Sequence, residues 1–162
     1  MNALKSGQNL ATTIARIILG IIFFAHGCQK FFVYGMDNVA ANFDAMGAPL
    51  PTFSAWVAAI AELVGGAMLI VGLAIPVVAV ILILDMIGAI FIAHIDAGFW
   101  TADGGYELPL ALIAGLIAVG FAAHGPFAAD THLIKAATNK TSTNKTSTNK
   151  TSTNKTSTQV DA

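Results

Sequence analysis

Only one cysteine, Cys28, occurs in the 162-residue chain. A lone thiol excludes an intramolecular disulfide and a CxxC redox pair. No flavin, haem or nicotinamide motif is present either. No built-in cofactor is therefore expected. If the protein takes part in redox chemistry, a partner subunit or a redox-active substrate must carry the electrons. Charge is also scarce. Charged residues make up 10 % of the chain, where a soluble domain usually carries about 25 %. Positive charge is scarcer still, because five of the eight basic residues lie from Lys135 onward. The net charge of −1 gives no reason to expect nucleic acid as a partner. No A-x-A-like cleavage site follows the first apolar run, and residues 11–32 are long for a signal peptide, so a retained helix is expected there.

What is present is apolar. Hydrophobic residues account for 56 % of the chain, and its mean hydropathy is +0.72. This is the composition of an all-α integral membrane protein. A spanning helix needs about 20 apolar residues. Four segments approach or reach that length: residues 12–32, 53–73, 77–95 and 107–123. The expected architecture is a four-transmembrane-helix bundle over residues 1–134.

The connections add detail. The "AIP" turn at residues 74–76 forces the second and third spans to be antiparallel neighbours, with Pro76 in a first helical turn that needs no N–H. The loop at residues 33–52 is amphipathic through Val39, Phe43 and Met46, and predicts a short interfacial helix ending at Gly47. Pro109 sets the fourth helix start near Gly105 or Tyr106. From Thr138 to Ser157, "TNKTS" repeats four times. Such a polar segment has no face to bury, so residues 135–162 are expected to be a disordered cytoplasmic tail.

Lys5, Arg16 and Lys135 fall on one side of the spans. The loops of the other side hold Asp37, Asp44, Asp96 and Asp103 beside a single Lys30. The excess of positive charge predicts that both termini are cytoplasmic.

Ionisable groups within a bilayer cost at least ~2.5–3.5 kcal/mol each on insertion scales. This chain keeps Arg16, His26, Glu62, Asp85 and His94 in or near its spans, and Glu107 opens the fourth. Ala55, Ala58, Glu62, Gly65 and Leu69 share one helical stripe, so Glu62 points into the bundle. Asp85 shares a face with Gly88, Ala89 and Ile92, whereas simple rotation puts His94 roughly opposite. By depth, His26, His94 and Glu107 lie above Glu62 and Asp85, with Arg16 near the inner surface. A polar pocket opening outward follows, with the glycine-rich acidic loop at residues 98–106 as its rim.

His26, Glu62, Asp85 and Glu107 are the candidates for proton transfer or head-group binding. Arg16, Lys30, His94, Trp100, Gly104, Gly105 and Tyr106 are the candidates for ligand contact. Blander readings stand beside these. His26 and Glu62 can form a structural pair, and Arg16 can anchor the inner surface or partner a buried acid. Lys30 can reach the interface from a helix end, and Trp100 and Tyr106 can belong to an aromatic belt. Asp103 can cap the fourth helix, and the helix dipole alone favours a carboxylate at Glu107. The two His and three carboxylates are scattered, with no H-x-x-x-H or E-x-x-H pair, so no metal site is expected.

The segments "ARIILGIIFFAHGCQKFF", "AELVGGAMLIVGL", "AHIDAGFW" and "DGGYELPLALIAG", in this order, resemble the DoxX family of bacterial membrane proteins. The resemblance covers residues 14–126. It implies that Arg16, His26, Gly27, Lys30, Glu62, Gly65, Gly66, His94, Gly104, Gly105 and Glu107 occupy the family's recurrent positions. Asp85 and the repeat tail look particular to this chain. The resemblance also implies an inner-membrane location and a link to quinones, through quinone-dependent thiosulfate oxidation or oxidative stress. Two functions are consistent with this. One is a redox-linked protein, a quinone-linked oxidoreductase component, whose pocket binds a quinone or similar lipophilic molecule. The other is a non-catalytic subunit or assembly factor that docks a redox or stress-response enzyme to the bilayer, with homo-oligomers as a further option.

Overall fold

The computed structural model describes residues 2–121, with side-chain environments from residue 7 onward. The TNKTS repeat and the expected boundary at residue 134 lie outside the described residues. Every element is helical and no strand occurs among the described residues. Helix α1 spans Asn2–Cys28 and continues as a π-helical stretch, Gln29–Tyr34. Helix α2 spans Met36–Ala45, α3 spans Pro51–Val71 and α4 spans Ile75–Ala89. A second π-helical stretch, Ile90–His94, extends α4. Two short 3-10 turns, Ile95–Ala97 and Thr101–Asp103, then lead to α5, Glu107–Phe121.

Three of these paths are long and apolar enough to cross a membrane: Gly7–Tyr34, Pro51–Val71 and Ile75–Ala97. The fourth expected span appears as α5, with 15 residues in the described part. At ~1.5 Å per residue this covers about 22 Å, against a hydrocarbon core of about 30 Å. The amphipathic segment between the first two spans forms α2, and Gly47 follows it with φ +74°.

Packing is that of a bundle immersed in lipid. Helix α1 packs chiefly on α3, and α4 on α5, while α2 lies against α3. Phe23, Leu69, Ile75, Leu82 and Leu116 are fully buried between them. The outward faces are equally apolar: Ile14, Ile18 and Ile21 on α1, Ile60 and Val64 on α3, and Val77 and Leu84 on α4 are all exposed. Such a surface is stable only where the surroundings are as apolar as the side chains, and that environment is the lipid bilayer.

Small residues let α1 and α3 cross closely. A Cβ at Gly66 would collide with the backbone of Phe24, and one at Gly27 with the backbone of Leu63. Gly20 lies against Ile70 at the other end of the contact, so the two helices run antiparallel. Ala55, Ala58, Glu62, Gly65 and Leu69 are buried together on α3, as the stripe in the sequence predicts. The C-terminus of α3 is closed from two sides. The N–H groups of Gly72 and Leu73 both return to the Met68 carbonyl. The Arg16 guanidinium of α1 donates to the carbonyls of Leu69 and Ile70. These carbonyls lack partners within the helix and carry the negative end of its dipole.

Candidate functional site

The polar groups of the bundle gather around two cavities with a common wall. The larger, about 510 Å³, is a groove between α2, α3 and α4. Its lining is mostly apolar, with Phe43 from α2, Met46 just after it, Val57 from α3 and Ile81 from α4, and with Lys30, Asp85 and His94 as its ionisable groups. Leu84, at the groove, is 62 % exposed on the outer face of α4, so the groove opens sideways toward lipid. The smaller cavity, about 220 Å³, lies under the loop before α5. His26, Lys30, Glu62 and His94 line it, with Thr101, Gly104 and Gly105 from the loop above. Lys30 and His94 face both spaces.

Glu62 is 5 % exposed, and its carboxylate forms an ion pair with the Lys30 ammonium. This corrects the pairing expected with His26 or Arg16, and it corrects the reading of Lys30 as an interface-reaching side chain. Lys30 stands four residues beyond His26, on the same face of α1. Its long flexible stem reaches further than imidazole. In a medium of low dielectric, a full charge satisfies a buried carboxylate better than a neutral ring does. Arg16 is buried at 4 % exposure and is committed to the end of α3. It lines neither cavity.

The geometry around His94 depends on the π-helical stretch. Asp85 and His94 are nine residues apart, which places them half a turn apart on a regular α-helix. The π-helical i→i+5 bonding over Ile90–His94 widens the turn, so each residue rotates the chain by less. His94 swings back, and both side chains line the same groove. Its Nδ1 lies 2.6 Å from the Gly104 carbonyl oxygen. That contact ties α4 to the loop before α5. Asp85 has no such anchor: its Oδ2 is shielded from solvent and has no hydrogen-bond partner among the described residues.

The loop itself is closely folded. Gly105 lies against the backbone of Gly98 and Phe99, where a Cβ would collide. The N–H of Tyr106 donates to the Gly98 carbonyl at 3.0 Å, and that of Glu107 to the Phe99 carbonyl at 2.9 Å. Glu107 Oε2 accepts the Thr101 N–H at 3.1 Å. Glu107 thus staples the rim and does not line either cavity. Asp103, expected as the cap of α5, instead ends the 3-10 turn Thr101–Asp103. Trp100 is 63 % exposed and meets Phe99 edge-on, as does Tyr106. Neither Trp100 nor Tyr106 reaches a cavity, whereas Gly104 and Gly105 do.

Of the proton-transfer candidates, the fold brings His26 and Glu62 to the smaller cavity and Asp85 to the groove, and leaves Glu107 in the loop. Thr101, Phe43 of α2 and Met46 just after it join the lining without having been singled out for it. The amphipathic spacing of α2 was the available signal.

A family model described as DoxX matches residues 11–95, from the first span through Ile95. The chain belongs to the DoxX family. This DoxX protein is 40 % identical over 120 residues to "Putative oxidoreductase CatD" of Bacillus subtilis (strain 168), covering 73 % of the chain and 87 % of the relative. It is 32 % identical over 133 residues to "Uncharacterized membrane protein Rv3486" of Mycobacterium tuberculosis (strain ATCC 25618 / H37Rv), covering 76 % of the chain and 81 % of the relative. No solved structure matches it. The family and the apolar helices together make it a multi-pass membrane protein.

Proposed function

We propose that this DoxX protein is a redox-linked component of the bacterial inner membrane whose groove binds a quinone or a similar lipophilic molecule, with both termini on the cytoplasmic side. The observation that carries this reading is the groove of about 510 Å³ with an apolar lining, a sideways mouth and the polar groups Lys30, Asp85 and His94. A molecule with a hydrocarbon tail and a small polar head fits that gradient: the tail stays in lipid and the head meets the charged groups. The name of the Bacillus subtilis relative, which describes an oxidoreductase, points the same way. Reducing a quinone to a quinol takes two electrons and two protons. A partner redox subunit supplies the electrons in this scheme. Asp85 serves as the proton-exchanging group beside the head, and Glu62, Lys30 and His26 lie across the common wall.

Extraction of the protein from its own membrane, followed by analysis of the lipophilic molecules that copurify, tests this reading. A quinone retained in stoichiometric amount is the expected result. Gly88 lines the groove and has no neighbour near its missing side chain, so Gly88→Phe should fill the space and lose the molecule while the protein still accumulates. Equal quinone content in the two proteins, or none above the lipid background, would overturn it.

A further inference from the structure

Reduction of a quinone adds one proton to each of its two oxygens, while the two electrons come from the partner redox subunit. The groove opens sideways toward lipid, and hydrocarbon supplies no protons. They must reach the head through a wall of the groove. One wall is shared with the smaller cavity, whose polar groups need more partners than they give one another. The Lys30 ammonium has three N–H donors and the Glu62 carboxylate about four acceptor sites, and their ion pair uses one of each. His26 adds an imidazole and Thr101 a hydroxyl. The volume of about 220 Å³ far exceeds the ~10–15 Å³ that one water needs, and a polar cavity of that size holds water. Thr101 and Gly104, which close it from above, are exposed, so this water meets the solvent on the loop side.

Lys30 and His94 are the ionisable residues that belong to both spaces. The Lys30 charge is held by Glu62. His94 is free to exchange a proton at one atom. The Gly104 carbonyl can only accept a hydrogen bond, so the 2.6 Å contact keeps a proton on Nδ1. Nε2 is then the nitrogen that gains and loses one. We infer that the smaller cavity is the aqueous proton port of the groove, open on the side of the loop at residues 98–106, and that His94 passes protons between the two. This rests on the quinone-binding reading and adds where its protons come from. His94 Nε2 takes a proton from water in the port and releases it into the groove, and two such transfers accompany two electrons for each quinol formed. Oxidation of the quinol runs the steps backward and delivers both protons to the loop side.

Single cysteines in a Cys28→Ser background test the port in the full chain. The reagent is sulfonatoethyl methanethiosulfonate, an impermeant anion that reacts with thiolates, which form in water and not in hydrocarbon. Leu112 and Met86 line the smaller cavity alone, and Gly88 lines the groove alone. Leu112→Cys should be modified from the same side of the membrane as Thr101→Cys, and Gly88→Cys should stay unmodified. Met86→Cys serves if the Leu112 variant does not accumulate. Cavity cysteines that do not react, or react only from the opposite side, overturn the port. The relay is tested with His94→Gln, which keeps a donor for the Gly104 carbonyl and loses the exchanging nitrogen. It should retain copurifying quinone at the wild-type level and lose rescue of a deletion strain under quinone stress. Asp37→Asn, outside both cavities, should keep both. Full rescue by His94→Gln, or loss of the quinone together with rescue, overturns the relay. Unreactive cavity cysteines with quinone still retained remove the port alone. Absence of quinone from the wild-type protein removes the quinone reading and the relay with it, whatever the labelling shows.

Discussion

Lys30, at the start of the π-helical end of α1, and Glu62, in the middle of α3, form an ion pair across the close crossing of these two helices. Their side chains are 19 % and 7 % exposed, so each charge depends on the other for most of its solvation. Removing one partner leaves a buried charge, which typically costs about 3–5 kcal/mol, whereas replacing both with apolar groups is often neutral. Lys30→Met and Glu62→Ala should each lower the melting temperature in detergent, Glu62→Gln should lower it less, and Lys30→Met/Glu62→Leu should recover much of the loss. Single variants that melt with wild type would show that the pair does not hold the crossing together.

Arg16 makes a separate prediction because it serves stability away from the cavities. Arg16→Met leaves the Leu69 and Ile70 carbonyls without their donor. An unsatisfied buried acceptor costs about 1–3 kcal/mol. The variant should melt earlier, and Arg16→Lys should fall between it and wild type. Binding of a groove ligand, measured at a temperature where the variant stays folded, should be unchanged. Weakened binding at constant fold would place Arg16 in the site.

For Glu107, the hydrogen bond from Thr101 predicts that the carbonyl oxygen matters more than the charge. Glu107→Gln retains an acceptor and should keep both stability and function. Glu107→Ala removes the staple and should cost about 1 kcal/mol, with faster proteolysis of the loop at residues 98–106. Rescue of a deletion strain under quinone stress provides the functional readout at matched membrane expression. Loss of rescue by Glu107→Gln in a folded protein would assign the carboxyl a role in proton transfer.

Orientation is predicted by the excess of Lys5 and Lys135 on one side and the acidic loops on the other. In a Cys28→Ser background, single cysteines at Ser6, Thr101 and Ser142 can be probed with an impermeant maleimide in intact cells. Only position 101 should be labelled. Labelling at position 6 or 142 would contradict cytoplasmic termini.

Much of the fold was legible in the sequence because its determinants are local. Hydropathy runs set the spans, the spacing of Val39, Phe43 and Met46 gave α2, and the small-residue stripe of α3 announced its buried face. The candidate site was less legible. The sequence offered His26 and Arg16 as partners for Glu62, but side-chain reach gave it to Lys30. A regular helical wheel put His94 away from Asp85, and the wider turn at Ile90–His94 brought both to one groove. Asp103 had the chemistry of a cap, but the loop satisfied the start of α5 through the Gly98 and Phe99 carbonyls instead. Each difference arises from tertiary placement or from a departure from regular helix geometry, which a one-dimensional pattern does not carry.

The widened turn between Asp85 and His94 also bears on how insertions and deletions act here. A π-helical turn can be viewed as an α-helix holding one surplus residue, and one residue corresponds to about 100° of rotation. Deleting a single position among residues 90–93 would leave eight steps of regular winding between Asp85 and His94, about 800° in all, so the imidazole stays on the side of Asp85. A relative with a one-codon gap in this stretch and a regular helix therefore keeps its histidine at the groove, and an ungapped comparison would fail to align the two histidines.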